Sequence, residues 1–210
     1  MLKFEDAIAD SPALVLGCDP GPTHTAFAAV VLYPKDSSPA RLAYASYADN
    51  SGLDEAYRMV EHAVKRELLY PAGARCAFLA YECVGAQGKF CGESVFETAA
   101  VGGEVRRLFR RLVDGTYKFV SSEWRHALTG QGNARTPLVY HEICKRFPAT
   151  GGGSDPCKGT KDAPGPLWDL HAAGKGGNVE HLKDALGVAL GLASVRFRSG
   201  RDPETYRRPL

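Results

Sequence analysis

The apolar positions near the start of the chain fall into short runs separated by turn residues, which is the pattern of a β-sheet. Residues 14–16 are typical of a buried strand, and residues 25–31 form a second β-rich run after a turn of proline and glycine at 20–22. A polar turn at 34–39 precedes a third such run at 41–48. The three runs predict an antiparallel three-stranded meander.

A helix and a fourth strand are predicted after the meander. Apolar residues recur at helical spacing over 53–68, and Ser51 with Asp54 predicts a capping box at the start of this helix. Pro71 predicts its end. Residues 76–81 are again typical of a buried strand.

The middle of the chain predicts a second helix and a fifth strand. Ser94 with Glu97 forms a second capping-box pattern, and the helical pattern continues to about residue 112. A glycine pair at 102–103 lies within this helix and allows close approach by another backbone, for example that of a second subunit. Residues 117–121 are the fifth strand candidate.

Two more helices are predicted in the last third of the chain. Thr136 as a cap and Pro137 at the first helical position begin one that ends near 147–148. Residues 149–177 are rich in Gly, Pro, Lys and Asp and predict a long, partly mobile surface loop. The last helix is predicted from 179 to about 195, with Asn178 as its cap. Its buried stripe consists of Leu182, Ala185, Leu186, Ala189 and Ala193.

This order of elements predicts an α/β fold with a mixed central sheet of about five strands, the first three antiparallel, flanked by helices. The length of 210 residues fits one domain with a single core. We assign residues 1–195 to that domain and residues 196–210 to a basic C-terminal tail.

Composition narrows the function only slightly. A hydrophobic content of 44% and a net charge of +2 are ordinary for a globular protein. The chain has no apolar run of membrane-spanning length, and its N-terminus is too acidic for a signal peptide, so we expect a cytoplasmic location. The cysteines form no C-x-x-C pair and are interpreted as small hydrophobic residues. A zinc site that combines them with His24, His141 or His171 is the alternative interpretation.

Four residues form a candidate metal site. Asp19 and Glu82 each follow a predicted strand, and His181 and Asp184 project from one face of the last helix. Carboxylates at strand ends with a helical His/Asp pair suit Mg²⁺ or Mn²⁺, which prefer oxygen ligands. Simpler roles exist for each part: Asp19 also suits the turn after it, and an acidic residue suits the start of a helix.

The pattern resembles the RuvC-type Holliday junction resolvases of the RNase H-like superfamily. Four segments carry the resemblance in the family's order: LGCDPGPTHTAFAAV, FLAYEC, LTGQGNARTPLV and HLKDALGVAL. Together they span most of the chain, over 14–192. The segment ESVFETA and the loop ending at 165–168 are more similar to the phage-encoded branch than to the cellular one.

The resemblance implies an RNase H-like fold, a homodimer, and paired cuts in four-way DNA junctions. It makes Asp19, Glu82 and Asp184 the catalytic, metal-binding carboxylates, with His181 at a fourth position that holds Asp or His in the family. Two Mg²⁺ ions per active site, for which Mn²⁺ can substitute, would activate water and stabilise the leaving oxygen.

The resemblance also implies DNA contacts on either side of the Gly-x-Gly segment. Arg125 matches the first basic position, whereas Thr136 stands at the second and Arg135 lies beside it. An aromatic residue that inserts among junction bases in many cellular members corresponds here to Gly85. Phe90 in the same loop is a candidate substitute, with packing in the core as the alternative.

A cluster of basic residues supplies further candidate DNA contacts, although a solvated helix face explains any single one of them better. The cluster consists of Arg106, Arg107, Arg110 and Arg111.

Three other functions are compatible with parts of the sequence. A nuclease of the same mechanism could act on flaps, forks or other branched DNA. A catalytically silent junction-binding module would keep the fold, but the intact carboxylates disfavour it. An ATP-binding member of the wider actin-like group is disfavoured because the chain has length for only one such domain.

Overall fold

The computed structural model describes residues 11–34, 39–69, 74–84, 92–174 and 178–199, with side chains described to residue 194 in the last helix. The strands are β1 (Ala13–Pro20), β2 (His24–Leu32), β3 (Arg41–Asp49), β4 (Cys76–Cys83) and β5 (Gly115–Val120). The helices are α1 (Leu53–Leu69), α2 (Glu93–Phe109), α3 (Ser121–Thr129), α4 (Thr136–Cys144), α5 (Trp168–Ala173) and α6 (Val179–Ser199). Pro71 and the tail beyond 199 lie outside the described residues.

The five strands form one mixed sheet in the order β3-β2-β1-β4-β5. The pairs β1/β2 and β2/β3 are antiparallel, and the pairs β1/β4 and β4/β5 are parallel. The predicted α/β class, the five strands and the antiparallel first three strands are therefore confirmed. The central place of β1 in the sheet is an observation that the sequence interpretation did not contain, and it explains why this strand is apolar on both faces.

Successive residues of β1 point into two separate cores, as the twofold repeat of a strand requires. Leu14 and Leu16 pack with α1 and α2 on one face of the sheet. Val15 packs on the other face, where α3, α4 and α6 contribute residues such as Trp124 and Leu182. The sheet is thus covered on both sides, in an arrangement of helix, sheet and helix layers.

The last helix lies unusually close to β1. A Cβ atom added at Gly17 would overlap the carbonyl oxygen of Ala185, so only glycine allows this approach. All five residues of the predicted stripe on α6 are buried. The contact brings the N-terminal part of α6 beside the end of β1, where Asp19 lies.

Both capping-box predictions are wrong. Before α1, the carboxylate of Asp49 accepts hydrogen bonds from the backbone N–H of Ser51 at 2.8 Å and from its hydroxyl at 2.6 Å. Asp49 therefore caps a short 3₁₀ turn at Asn50–Gly52 that precedes the helix. Before α2, the cap is Gly92, which has no side chain to accept a hydrogen bond.

Other element boundaries differ from the prediction by a few residues, as helix and strand ends often do. Helix α2 ends at Phe109, and strand β5 ends at Val120, so Ser121 begins a helix instead of ending a strand. Helix α4 has Arg135 as its cap and ends at Cys144.

Two short helices were missed. Helix α3 follows β5 directly, and helix α5 lies within the predicted surface loop. That loop is only partly a surface feature, because Cys157, Leu167 and Leu170 are buried in the core. Cys157 is an isolated apolar side chain, and Leu167 and Leu170 belong to an apolar run too short to show helical periodicity.

The glycine pair of α2 makes its close contact within the chain. A Cβ at Gly102 would lie 3.7 Å from the side chains of Pro20 and Tyr81, whereas a Cβ at Gly103 would meet no atom within 4 Å. Separately, none of the helices in the described part of the chain has the length and apolar character needed to cross a membrane.

Candidate metal centre

Parallel pairing places two of the predicted ligands at the same edge of the sheet. Cys18 of β1 is the register partner of Tyr81 of β4, so the next residues, Asp19 and Glu82, lie side by side at the carboxyl ends of these strands. The strands bury their apolar stems on both faces and leave the two carboxylates at the rim. The structure therefore brings these two residues together at one edge of the sheet.

Helix α6 adds the other two predicted ligands to this edge. His181 lies with its Nδ1 atom 2.9 Å from Oδ2 of Asp19. Asp184, three residues later on the same face, accepts a hydrogen bond at 3.1 Å from the guanidinium of Arg125. The side chains of Asp19 and Asp184 are only 16% and 20% exposed, so both are shielded from bulk water.

A tryptophan that was not predicted as part of the site holds the carboxylate of Glu82. Trp124 of α3 is fully buried, and its Nε1 donates a 2.8 Å hydrogen bond to Oε2 of Glu82. Gly187 of α6 leaves the space for the indole, because a Cβ there would lie 2.6 Å from the ring. The apolar spacing of Trp124, Ala127 and Leu128 is the signal that could have located α3 and this residue.

Arg125 lies among the carboxylates. Besides Asp184 it donates at 2.8 Å to the carbonyl of Ala134, and its guanidinium carbon lies 4.9 Å from the centre of the Trp124 ring. These contacts fix it as the positive partner of the site. Arg135, one residue beyond Ala134, is exposed at the start of α4.

Burial and mutual repulsion raise the pKa values of two acids of the site. Burial, followed by the negative charge of Asp19, raises the pKa of Glu82 to about 7, although the Trp124 hydrogen bond acts in the opposite direction. Burial also raises the pKa of Asp184 to about 6, against the opposing effect of Arg125. The hydrogen bond to Asp19 raises the pKa of His181. The cluster therefore carries more negative charge than its protein environment stabilises.

The residues fit a divalent cation by their chemistry. Oδ1 of Asp184 is buried and has no hydrogen-bond partner among the described residues. The donor set of three carboxylates and an imidazole suits a hard cation. The four ligand atoms do not form a compact group in the described structure, because each carboxylate is held by a different partner. The negatively charged carboxylates repel one another, and a bound cation would offset that repulsion and allow them to come closer.

The predicted arginine contacts at the end of α2 do not join this edge. The arginine cluster at the end of α2 is exposed. The chain after it leads to the start of β5, where Asp114 donates from its backbone N–H to the carbonyl of Ala77 at 2.7 Å. Ala77 lies near the beginning of β4, at the edge opposite Glu82. Phe90 lies outside the described residues.

The mixed sheet, its covering helices and the acidic edge together define an α/β fold of the RNase H-like type. The chain is similar to RuvC from Thermus thermophilus, with a TM-score of 0.55 and 24% identity over 89% of this chain and 96% of that one. It is also similar to T. thermophilus RuvC in complex with a Holliday junction substrate, with a TM-score of 0.53 and 22% identity over the same shares. The predicted RuvC-type fold is therefore confirmed.

A more distant similarity, to the yeast mitochondrial Holliday junction resolvase Ydc2, has a TM-score of 0.46 and 12% identity over 96% of this chain and 86% of that one. It is too weak to support an argument. No protein-family model matches the chain, and no curated protein matches it by sequence.

Proposed function

We propose that the chain is a divalent-metal-dependent endonuclease that cuts four-way DNA junctions. One observation carries this proposal: β1, β4 and α6 deliver three carboxylates and a histidine to one edge of a RuvC-type fold. The similarity to a RuvC structure that holds a Holliday junction supports the choice of substrate. A silent binding module would have no need for acids that repel each other at this edge.

In this proposal Asp19, Glu82, Asp184 and His181 hold two Mg²⁺ ions, for which Mn²⁺ can substitute. The bound ions would supply an activated water and positive charge for the phosphate and the departing oxygen. The unpaired Oδ1 of Asp184 is available for this purpose without breaking a hydrogen bond. His181 acts either as a ligand or as an acid and base, and its 56% exposed side chain suits both.

Trp124 and Arg125 position the acids. The indole N–H fixes Oε2 of Glu82, and no described residue donates a hydrogen bond to its other carboxylate oxygen. The guanidinium of Arg125 offsets the charge of Asp184 and keeps its carboxylate oriented towards the edge. In the proposed complex Arg125 and the exposed Arg135 also face the DNA backbone, where cations contact phosphates.

Paired cuts in a symmetric junction require two active sites related by a twofold axis, so we further propose a homodimer. Phe96 on α2 is 68% exposed and is a candidate contact between the two subunits.

Substitution of single ligands tests the metal centre. We expect Asp184→Asn and Asp19→Asn to reduce cleavage of a four-way junction by at least about 100-fold, since a lost ligand costs several kcal/mol of transition-state stabilisation. Binding of the same junction, measured by gel shift in Ca²⁺, should remain. Asp169→Asn, a change of an exposed acid on α5, is the matched control. Cleavage by Asp184→Asn at the rate of the unchanged protein would refute the centre.

A further inference from the structure

The connection between α4 and α5, residues 145–167, is much longer than most loops, yet it has a defined internal structure. Backbone hydrogen bonds close it around one short segment: Gly159 donates to Asp155 at 2.7 Å, and Leu167 donates to Cys157 at 2.9 Å. Cys157 is buried, with 4% of its surface exposed. The loop is therefore anchored at the segment that contains Asp155 and Cys157.

Three potential metal ligands meet at this anchor. Sγ of Cys144 from the end of α4, a carboxylate oxygen of Asp155, and Sγ of Cys157 all lie within 4.8 Å of one another. Both cysteines are free thiols. The group is half-buried to buried and has no part in the candidate nuclease centre.

A histidine completes the group through a tyrosine. The hydroxyl of Tyr140 lies 2.9 Å from Oδ2 of Asp155 and 3.1 Å from Nε2 of His171 on α5. The hydroxyl therefore occupies a point between a carboxylate and an imidazole. Because the hydroxyl fills that point, a bound cation requires the Tyr140 side chain to rotate away, which frees Oδ2 of Asp155 and Nε2 of His171.

We infer that Cys144, Asp155, Cys157 and His171 form a structural zinc site that fastens the 145–167 loop to α4 and α5. Thiolate, imidazole and carboxylate are the ligands that Zn²⁺ prefers, and four protein ligands close a structural site. Zinc bonds of about 2.0–2.3 Å place tetrahedral ligand atoms about 3.3–3.8 Å apart. The ligand atoms of Cys144, Asp155 and Cys157 lie within 4.8 Å of one another, so modest side-chain movements bring these three to that spacing. His171 joins them when the Tyr140 side chain moves aside.

The side chain of Asp155 is already oriented for this role. Its Oδ1 accepts from the backbone N–H groups of Cys157 at 3.1 Å and Lys158 at 3.2 Å, which leaves Oδ2 directed at Tyr140. Hydrogen bonds that hold one oxygen while the other binds metal are the usual support for a carboxylate ligand. Lys183 of α6, with Nζ 4.5 Å from the Tyr140 ring centre, supplies nearby positive charge for a site with three anionic ligands.

The test is the zinc content of the full-length protein, purified from medium containing zinc and dialysed against metal-free buffer, by mass spectrometry of the metal. We expect one Zn²⁺ per chain, and almost none in Cys144→Ser or Cys157→Ser. Cys76→Ala, which removes a buried cysteine of β4 outside the cluster, should keep its zinc. Cobalt loaded in place of zinc should give a thiolate-to-metal charge-transfer band that both serine variants lack.

Two further variants test the carboxylate ligand and the independence of the zinc site from the nuclease centre. Asp155→Asn keeps the turn hydrogen bonds but removes the charge, so zinc should be retained less tightly against a chelator. Asp19→Asn, which affects the nuclease centre, should leave the zinc content unchanged. Trypsin should cut at the exposed Lys161 faster after chelation than before it.

The inference fails if the reduced protein contains no zinc. It also fails if Asp19→Asn loses its zinc while Cys144→Ser and Cys157→Ser keep theirs. A Cys144–Cys157 disulfide, found by peptide mapping of protein purified under reducing conditions, would refute it as well.

Discussion

At the scale of single residues, Glu82 best shows how the site is built. Its carboxylate lies at the end of a buried strand, beside Asp19 and under the indole of Trp124. Burial and the neighbouring acid outweigh the hydrogen bond, which is why its pKa rises to about 7. An acid in this state is poorly stabilised until a cation binds, so the local electrostatics and the proposed function agree.

This shift predicts how stability depends on pH. Because the pKa of Glu82 rises from 4.5 in its ordinary state to about 7 in the folded chain, the metal-free protein should lose stability as pH rises between those values. Glu82→Gln retains an acceptor for Trp124 but does not ionise. It should avoid that loss and be more stable than the unchanged protein at pH 8 by roughly 2–3 kcal/mol.

The measurement is urea unfolding of both proteins at pH 5 and pH 8 with chelator present. Mg²⁺ should restore stability at pH 8 in the unchanged protein and have a smaller effect on Glu82→Gln. Equal pH dependence of the two proteins would contradict the assignment of the raised pKa to this residue.

At the scale of elements, the site depends on the contact between β1 and α6. Gly17 permits that contact, and the residues at its edge, Asp19 and His181, meet at 2.9 Å because of it. Helix α3 fits against the same helix through Gly187, which accommodates Trp124. The glycines thus determine how closely the elements that carry the acids can pack.

Gly17→Ala should therefore weaken metal binding at the candidate centre, although Gly17 is not a ligand. The new Cβ would overlap the carbonyl oxygen of Ala185, so α6 must shift, at a cost of about 1–3 kcal/mol or more in the free energy of unfolding. The shift moves His181 and Asp184 away from Asp19, and Mg²⁺ binding measured by calorimetry should weaken.

Gly103→Ala is the matched control, because a Cβ at that helical position meets no atom within 4 Å. It should leave Mg²⁺ binding unchanged and raise stability by about 0.5–1 kcal/mol, as replacement of a helical glycine does. Normal Mg²⁺ binding by Gly17→Ala would show that the β1/α6 contact does not set the ligand geometry.

The same elements show what the sequence could predict. Asp19, Glu82, His181 and Asp184 follow from local patterns, because strand ends and helix faces are set by nearby residues. Trp124 does not, since its partner Glu82 is far away in sequence and only the folded chain brings the two together. The cap at Asp49 is local and was missed because Ser51 and Asp54 also match a capping-box pattern. Helix α3 was missed because it is short and directly adjoins a strand.

At the scale of the whole molecule, charge is distributed unevenly although the net charge is only +2. The acids gather at the carboxyl edge of β1 and β4, with Arg125 and Arg135 beside them. The arginine cluster that follows α2 lies towards the opposite edge. A DNA substrate that reaches the acids would therefore contact the first group of arginines and not the second, unless it spans the molecule.

This distribution predicts different effects for two exposed arginines. Arg135→Ala should weaken junction binding and lower the slope of log affinity against log salt by about one, as expected for the loss of one phosphate contact. Arg110→Ala should change neither quantity as strongly. Fluorescence anisotropy over a range of salt concentrations measures both, and a larger effect of Arg110→Ala would place the DNA on the other edge.

The central claim is that the acidic edge cuts four-way junctions with divalent metal. The most direct test is cleavage of a labelled synthetic junction beside a flap, a fork and a linear duplex, each with Mg²⁺, with Mn²⁺ or with chelator. The account predicts paired, metal-dependent nicks confined to the junction. Equal cutting of every branched substrate would contradict junction specificity, and tight junction binding without any cutting would contradict the nuclease.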